Sequence, residues 1–107
     1  MKQLTATDLA AMLANGPAPK MIDVREQHEL AHGMITDAIH IPMQVFETQL
    51  HRLGEDHNQA IVLICRSGKR SEHVGHYLEQ LGFTDVSNLS GGMNSWAIDV
   101  DTTMSVY

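Results

Sequence analysis

Apolar positions recur along this chain with two periods, and the two alternate. In residues 5–15, "TATDLAAMLAN", Leu9, Met12 and Leu13 fall on one face of a helix. Thr5 or Thr7 can cap that helix, and Asp8 suits its positive end. "NGPAPK" (15–20) breaks the pattern with one Gly and two Pro, which marks a loop. "KMIDV" then reads as a short buried strand. "REQHELAHG" is polar and helix-prone, and Gly33 stops it. "DAIHIP" alternates Ile39 and Ile41 and ends at Pro42, which predicts another short strand. "MQVFETQLHRLG" spaces Met43, Phe46, Leu50 and Leu53 as a helix does, up to Gly54.

The second half repeats the alternation. "QAIVLI" is continuous and β-branched, the pattern of a strand buried on both faces. "SEHVGHYLEQLG" predicts a helix with Ser71 as its N-cap and Val74, Tyr77, Leu78 and Leu81 as its apolar stripe. "DVSNL" is a further strand candidate, and "GGMNSWAI" starts with a glycine pair and continues as a short helical turn. Strands alternating with helices predict an α/β fold with a mostly parallel sheet and right-handed crossovers. Ligands of such sheets bind beyond the carboxyl ends of the strands.

At 107 residues the chain is expected to form one domain. Its net charge of −6 argues against nucleic acid or an anionic membrane as a main partner. "AIVLIC" is far too short to cross a bilayer, and the first residues lack the apolar core of a signal peptide. One cysteine excludes an internal disulfide and suits a reducing compartment. These features predict a soluble, cytoplasmic protein.

The charge, however, is unevenly placed. Three of the chain's seven Lys and Arg residues, Arg66, Lys69 and Arg70, lie in the five positions after Cys65. Cys65 ends the strongest strand and precedes a helix N-terminus. Backbone N–H groups of a tight loop there can point inward as an anion-binding nest, and Gly68 allows the required backbone angles. The helix dipole, the loop amides and the basic side chains all favour thiolate over thiol, and the thiolate is the nucleophile. The alternative is a small buried core cysteine. Tyrosine and dual-specificity phosphatases use C-x5-R, with Arg at the sixth place after Cys. Here Arg70 is the fifth residue and Ser71 the sixth, so the loop is one residue shorter and better matched to a single sulfur than to a phosphate.

"CRSGKRS" resembles the active-site loop of the rhodanese, or thiosulfate sulfurtransferase, family. "MIDVREQHELAHGMITDAIHIP" is similar to that family's first signature, and "GFTDVSNLSGGMNSW" to its closing one. The likeness covers residues about 4–97 and leaves a short tail, 98–107. It implies a rhodanese-like domain over 1–107, with a central sheet of about five strands flanked by helices on both faces. It further implies that Cys65 takes the sulfane sulfur of thiosulfate or a similar small anionic donor as a persulfide. An external thiol, cyanide or a sulfur-acceptor protein would then remove it, with no metal or cofactor. Arg66, Ser67, Gly68, Lys69, Arg70 and Ser71 would form the substrate loop. Arg66 and Lys69 would attract the donor, and Arg70 would do the same or brace the loop through carboxylates. Asp23 and Arg25 would be structural, and Trp96 would lie in the core. The chain departs from the family at Met34, Thr36 and Asp37, where His and Pro-Gly are usual, so a differently shaped loop is expected there.

"HELAH" (28–32) matches the zinc-protease pattern H-E-x-x-H. Its segment is short, Gly33 ends it, and no third ligand can be placed. Histidines 73 and 76 fall off the apolar stripe of their helix and are expected to face solvent. Three functions compete: a sulfurtransferase, a cysteine phosphatase or arsenate reductase, and a persulfide-relay or regulatory binding module with little turnover. The absence of a second cysteine counts against arsenate reduction, and the presence of Cys65 against a purely regulatory domain.

Overall fold

A computed structural model describes residues 1–107. Five parallel strands form one sheet in the order β1-β5-β4-β2-β3: β1 (Lys2–Leu4), β2 (Lys20–Asp23), β3 (Ile39–His40), β4 (Ile61–Ile64) and β5 (Val86–Leu89). Helices α1 (Ala6–Asn15), α2 (Lys69–Gln80) and α3 (Gly92–Asp99) and two 3-10 segments, Gln27–His32 and Met43–Leu53, make the connections.

The central strand β4 shows why the sheet needs cover on both sides. Its side chains alternate between faces. Ile61, Leu63 and then Cys65 enter one core with Val74 and Leu78 of α2 and Phe46 and Leu53 of the second 3-10 segment. Val62 and Ile64 enter the other with Leu9 of α1 and Met93 and Trp96 of α3. A strand buried twice must be apolar throughout, which is the pattern "IVLI" carries. The α/β expectation is therefore met, with Trp96 in the core at 6 % exposure.

Several local expectations are corrected. The sequence reading contains no β1, because "KQL" has no alternating signal. Its place comes from backbone pairing of Lys2, Gln3 and Leu4 with Ser87, Asn88 and Leu89. Residues 27–32 and 43–53 wind as 3-10 helix, with three residues per turn. On α1 the cap is Thr5, in a reciprocal capping box with Asp8, while Met12 stays largely exposed. On α2 the N-cap is Gly68, at φ 100°, and Ser71 lies inside the first turn. Leu81 is the C-cap of α2 and is exposed rather than part of its stripe. Asp37, where the resembled family usually has Gly, takes φ 71°, a left-handed angle that glycine adopts freely and Asp tolerates. No helix is long and apolar enough to cross a membrane.

Candidate active site

Cys65 follows β4 directly, at the carboxyl edge of the sheet, and is 1 % exposed. The chain must leave the strand here and enter α2 within four residues. It turns at Gly68, whose positive φ directs its N–H back at the sulfur, 3.0 Å from Sγ. The Ser71 hydroxyl, one turn into α2, lies 3.2 Å from the same sulfur.

The loop's carbonyls are held away from the sulfur by groups distant in sequence. Met93 and Asn94, at the start of α3, donate their N–H groups to the Cys65 and Arg66 carbonyls at 2.8 and 3.1 Å. The Asn88 amide donates to the Gly68 carbonyl at 3.0 Å and to Gln3 Oε1 at 3.0 Å. Gly92 makes the α3 contact possible. A Cβ there would lie 2.4 Å from the Cys65 carbonyl oxygen and 2.5 Å from that of Arg66, and the residue sits at φ +58°. The glycine pair thus allows one backbone to lie against another.

Ser71 also contacts Asn88 Oδ1 at 2.5 Å. Its hydroxyl has one hydrogen and two acceptors to choose between. With Cys65 as a thiol, the S–H can donate to Ser71 while Ser71 donates to Asn88. With Cys65 as a thiolate, the hydroxyl can turn and donate to sulfur. Turning the hydroxyl to the sulfur leaves two oxygens 2.5 Å apart with no proton between them, so Asn88 must draw back for that bond to form.

Arg70 leaves the loop sideways and forms a two-pronged pair with Glu29, at 2.6 and 2.9 Å. Glu29 also accepts from the Tyr107 hydroxyl at 2.6 Å and from the Glu26 N–H at 3.1 Å. These donors, Arg70 first, hold the Glu29 carboxyl down to about 2 against burial. The paired carboxylate in turn raises Arg70 above its ordinary range. Arg66 and Lys69 are exposed, as is Ser67, and the Arg66 guanidinium lies 4.9 Å from the centre of the Tyr107 ring.

Asp23 and Arg25 form a wholly buried pair behind the loop, with Nη2 at 2.8 Å from Oδ2. All five guanidinium N–H groups are used. Nε and one Nη2 proton go to Asp23, the other Nη2 proton to the Gly33 carbonyl, and Nη1 to the Glu29 carbonyl and the Tyr107 oxygen. None is left for a ligand.

The "HELAH" residues separate. A 3-10 turn does not stack positions i and i+4, so His28 points to solvent at 76 % side-chain exposure while His32 stacks on Tyr107 at 4.0 Å. Glu29 is committed to Arg70.

Thus Cys65, Gly68 and Ser71 meet at the sulfur, and Arg70 is anchored outside it. The sequence reading missed Asn88, Gly92, Asn94 and Tyr107 as parts of the site. Only the glycine pair carried a local signal.

The Glu29 anchor predicts a pH signature. Its folded carboxyl lies below its ordinary value of about 4.5, so its stabilisation is complete above that value and is lost as pH falls towards about 2. Denaturant titrations should therefore show wild type losing its advantage over Glu29→Gln by about 3 kcal/mol between about pH 5 and pH 2. A gap independent of pH would show that the Arg70–Glu29 pair contributes no linked stability.

Comparison with known proteins agrees with this architecture. The family model described as rhodanese-like domain matches residues 5–99. A sulfurtransferase of Allochromatium vinosum is 34 % identical over 97 residues, covering 91 % of this chain and 89 % of that protein. The maize adenylyltransferase and sulfurtransferase MOCS3-1 is 29 % identical over 112 residues, covering 98 % of this chain but 24 % of that longer protein. The crystal structure of a rhodanese-like domain protein from Staphylococcus aureus superposes with a TM-score of 0.84 at 32 % identity, covering 100 % of this chain and 99 % of that one. With its sheet order, its cysteine loop and nearly its whole length accounted for, the chain belongs to the rhodanese-like domain family.

Proposed function

We propose that residues 1–107 form one working sulfurtransferase domain that carries sulfur on Cys65. The observation that carries this reading is the cradle itself: a buried sulfur at the end of β4 that accepts from the Gly68 N–H and can accept from Ser71. The Cys65 thiolate attacks the outer sulfur of thiosulfate. The bond from that sulfur to the sulfonate breaks, and sulfite leaves with the electron pair. The product is a persulfide whose terminal sulfur carries the charge. Cyanide, a thiol or an acceptor protein then attacks that terminal sulfur, and Cys65 departs as thiolate. Two covalent half-reactions require ping-pong kinetics.

Arg66 and Lys69, the exposed cations of the loop, draw in the anionic donor. Arg70 braces the loop through Glu29, Ser67 and Gly68 complete the turn, and Ser71 adjusts its hydroxyl to the charge on sulfur. Asp23 and Arg25 support the loop from behind. With no second thiol the chain cannot discharge its sulfur internally, so the acceptor is external. The sulfurtransferases among its relatives support the sulfur class, and a lone reduced thiol suits the cytoplasm.

Intact mass spectrometry after exposure to thiosulfate tests the reading. The protein should gain one sulfur atom, and cyanide should remove it as thiocyanate. No added sulfur from thiosulfate or any other sulfane donor would overturn it. The burial of Cys65 favours a second reading, a slow relay. Stoichiometric loading with very slow thiocyanate turnover would select it.

A further inference from the structure

The last seven residues fold back over the active-site loop. Met104 packs against Gly33, where a Cβ would lie 2.8 Å from its side chain, and the Ser105 N–H bonds to the His32 carbonyl at 3.3 Å. The Tyr107 N–H donates to Asn94 Oδ1 at 3.0 Å, and the N–H of that same Asn94 holds the Arg66 carbonyl. Tyr107 thereby reaches both arginines of the loop. Its ring faces the Arg66 guanidinium, and its hydroxyl shares the Glu29 oxygen that accepts from Arg70. It also accepts from Arg25 at 3.1 Å and stacks on His32 with planes 6° apart.

A guanidinium over an aromatic face gains attraction and loses freedom. An arginine on an exposed loop would otherwise spread its charge over many rotamers. We propose that Tyr107 is a positioning residue that sets the charge selectivity of Cys65, holding the Arg66 guanidinium so that the mouth of the loop prefers an anionic reagent. The inference deepens the sulfur-transfer reading, where the anion is the donor, and it rests on that reading for its biological meaning. The selectivity itself can be measured without sulfur transfer.

Two alkylating reagents of nearly equal size provide that measurement. Iodoacetate is anionic and iodoacetamide is uncharged. In each case the Cys65 sulfur forms a bond to carbon and iodide leaves. The ratio of the two rate constants reports the field at the mouth, because thiolate content and access of Cys65 cancel. Tyr107→Leu should lower the iodoacetate-to-iodoacetamide ratio about fivefold, the scale of one cation–π contact. It should lower the preference for thiosulfate as donor in parallel. Tyr107→Phe keeps the ring and should restore most of the ratio.

An unchanged ratio in Tyr107→Leu would overturn the proposal. So would an equal fall in both alkylation rates, which is what a merely structural role would give, or a Phe variant no better than Leu. A wild type that cannot be loaded with sulfur yet keeps a Tyr107-dependent ratio would support the positioning role and sink the sulfur-transfer reading alone.

Discussion

Cys65→Ser will fold, and it will take up no sulfur from thiosulfate. The hydroxyl fits where the sulfur sits and can keep the Gly68 N–H as a partner. What it lacks is acidity. A serine hydroxyl near neutral pH is essentially all protonated and no base stands beside it. Its polar neighbours are the Gly68 N–H and the Ser71 hydroxyl, and neither can take up its proton. Thiocyanate formation should fall by at least about a thousandfold, since the nucleophile itself is gone. Added sulfur should disappear from the intact mass. Circular dichroism and the thermal midpoint should stay close to wild type. Turnover within tenfold of wild type would move the chemistry away from this loop and leave the cradle as packing.

That result bears on why the loop is short. In C-x5-R the arginine is the sixth residue and reaches over a bound phosphate. Here the sixth residue, Ser71, lies on the first turn of α2 with its hydroxyl on the sulfur, and the fifth, Arg70, is turned away to Glu29. The position that would hold an arginine above the nest holds a small donor at its side. The remaining cations, Arg66 and Lys69, lie at the surface, where they can steer an anion without enclosing it.

How much of this is legible in the sequence depends on how local each cause is. The double burial of β4 is written into four consecutive apolar residues. The turn at Gly68 follows from a glycine between a strand and a helix. Residues whose partners are remote are not legible. Asn88 sits in an ordinary strand pattern, and its role comes from β5 lying beside β4, which brings its amide under Gly68. Ser71 looks like an N-cap because serine commonly is one. Placing the cap at Gly68 requires the left-handed turn, which then frees the serine for the sulfur. Tyr107 ends a tail with no periodic signal. It joins the site only because Met104 meets Gly33 and Tyr107 meets Asn94, both more than ten positions away.

The largest effect on stability should come from Arg25→Met. Arg25 and Asp23 are both wholly buried, and the guanidinium satisfies the carboxylate, two backbone carbonyls and the Tyr107 oxygen at once. Methionine fills comparable space but leaves Asp23 with only the residue-25 backbone N–H at 3.1 Å as a partner. Removing one member of a buried pair strands the other, at a cost of about 3–5 kcal/mol. A domain of this size is stable by only about 5–15 kcal/mol, so the urea midpoint should fall by roughly a fifth or more. Removing both charges should cost less than removing one. Asp23→Leu combined with Arg25→Met should recover part of the loss, because no uncompensated charge then remains inside. Equal stability of the single and double variants would mean that the pair acts through packing alone. An Arg25→Met variant within about 1 kcal/mol of wild type would show that Asp23 finds another partner or a proton. The buried arginine would then be needed for something other than the fold.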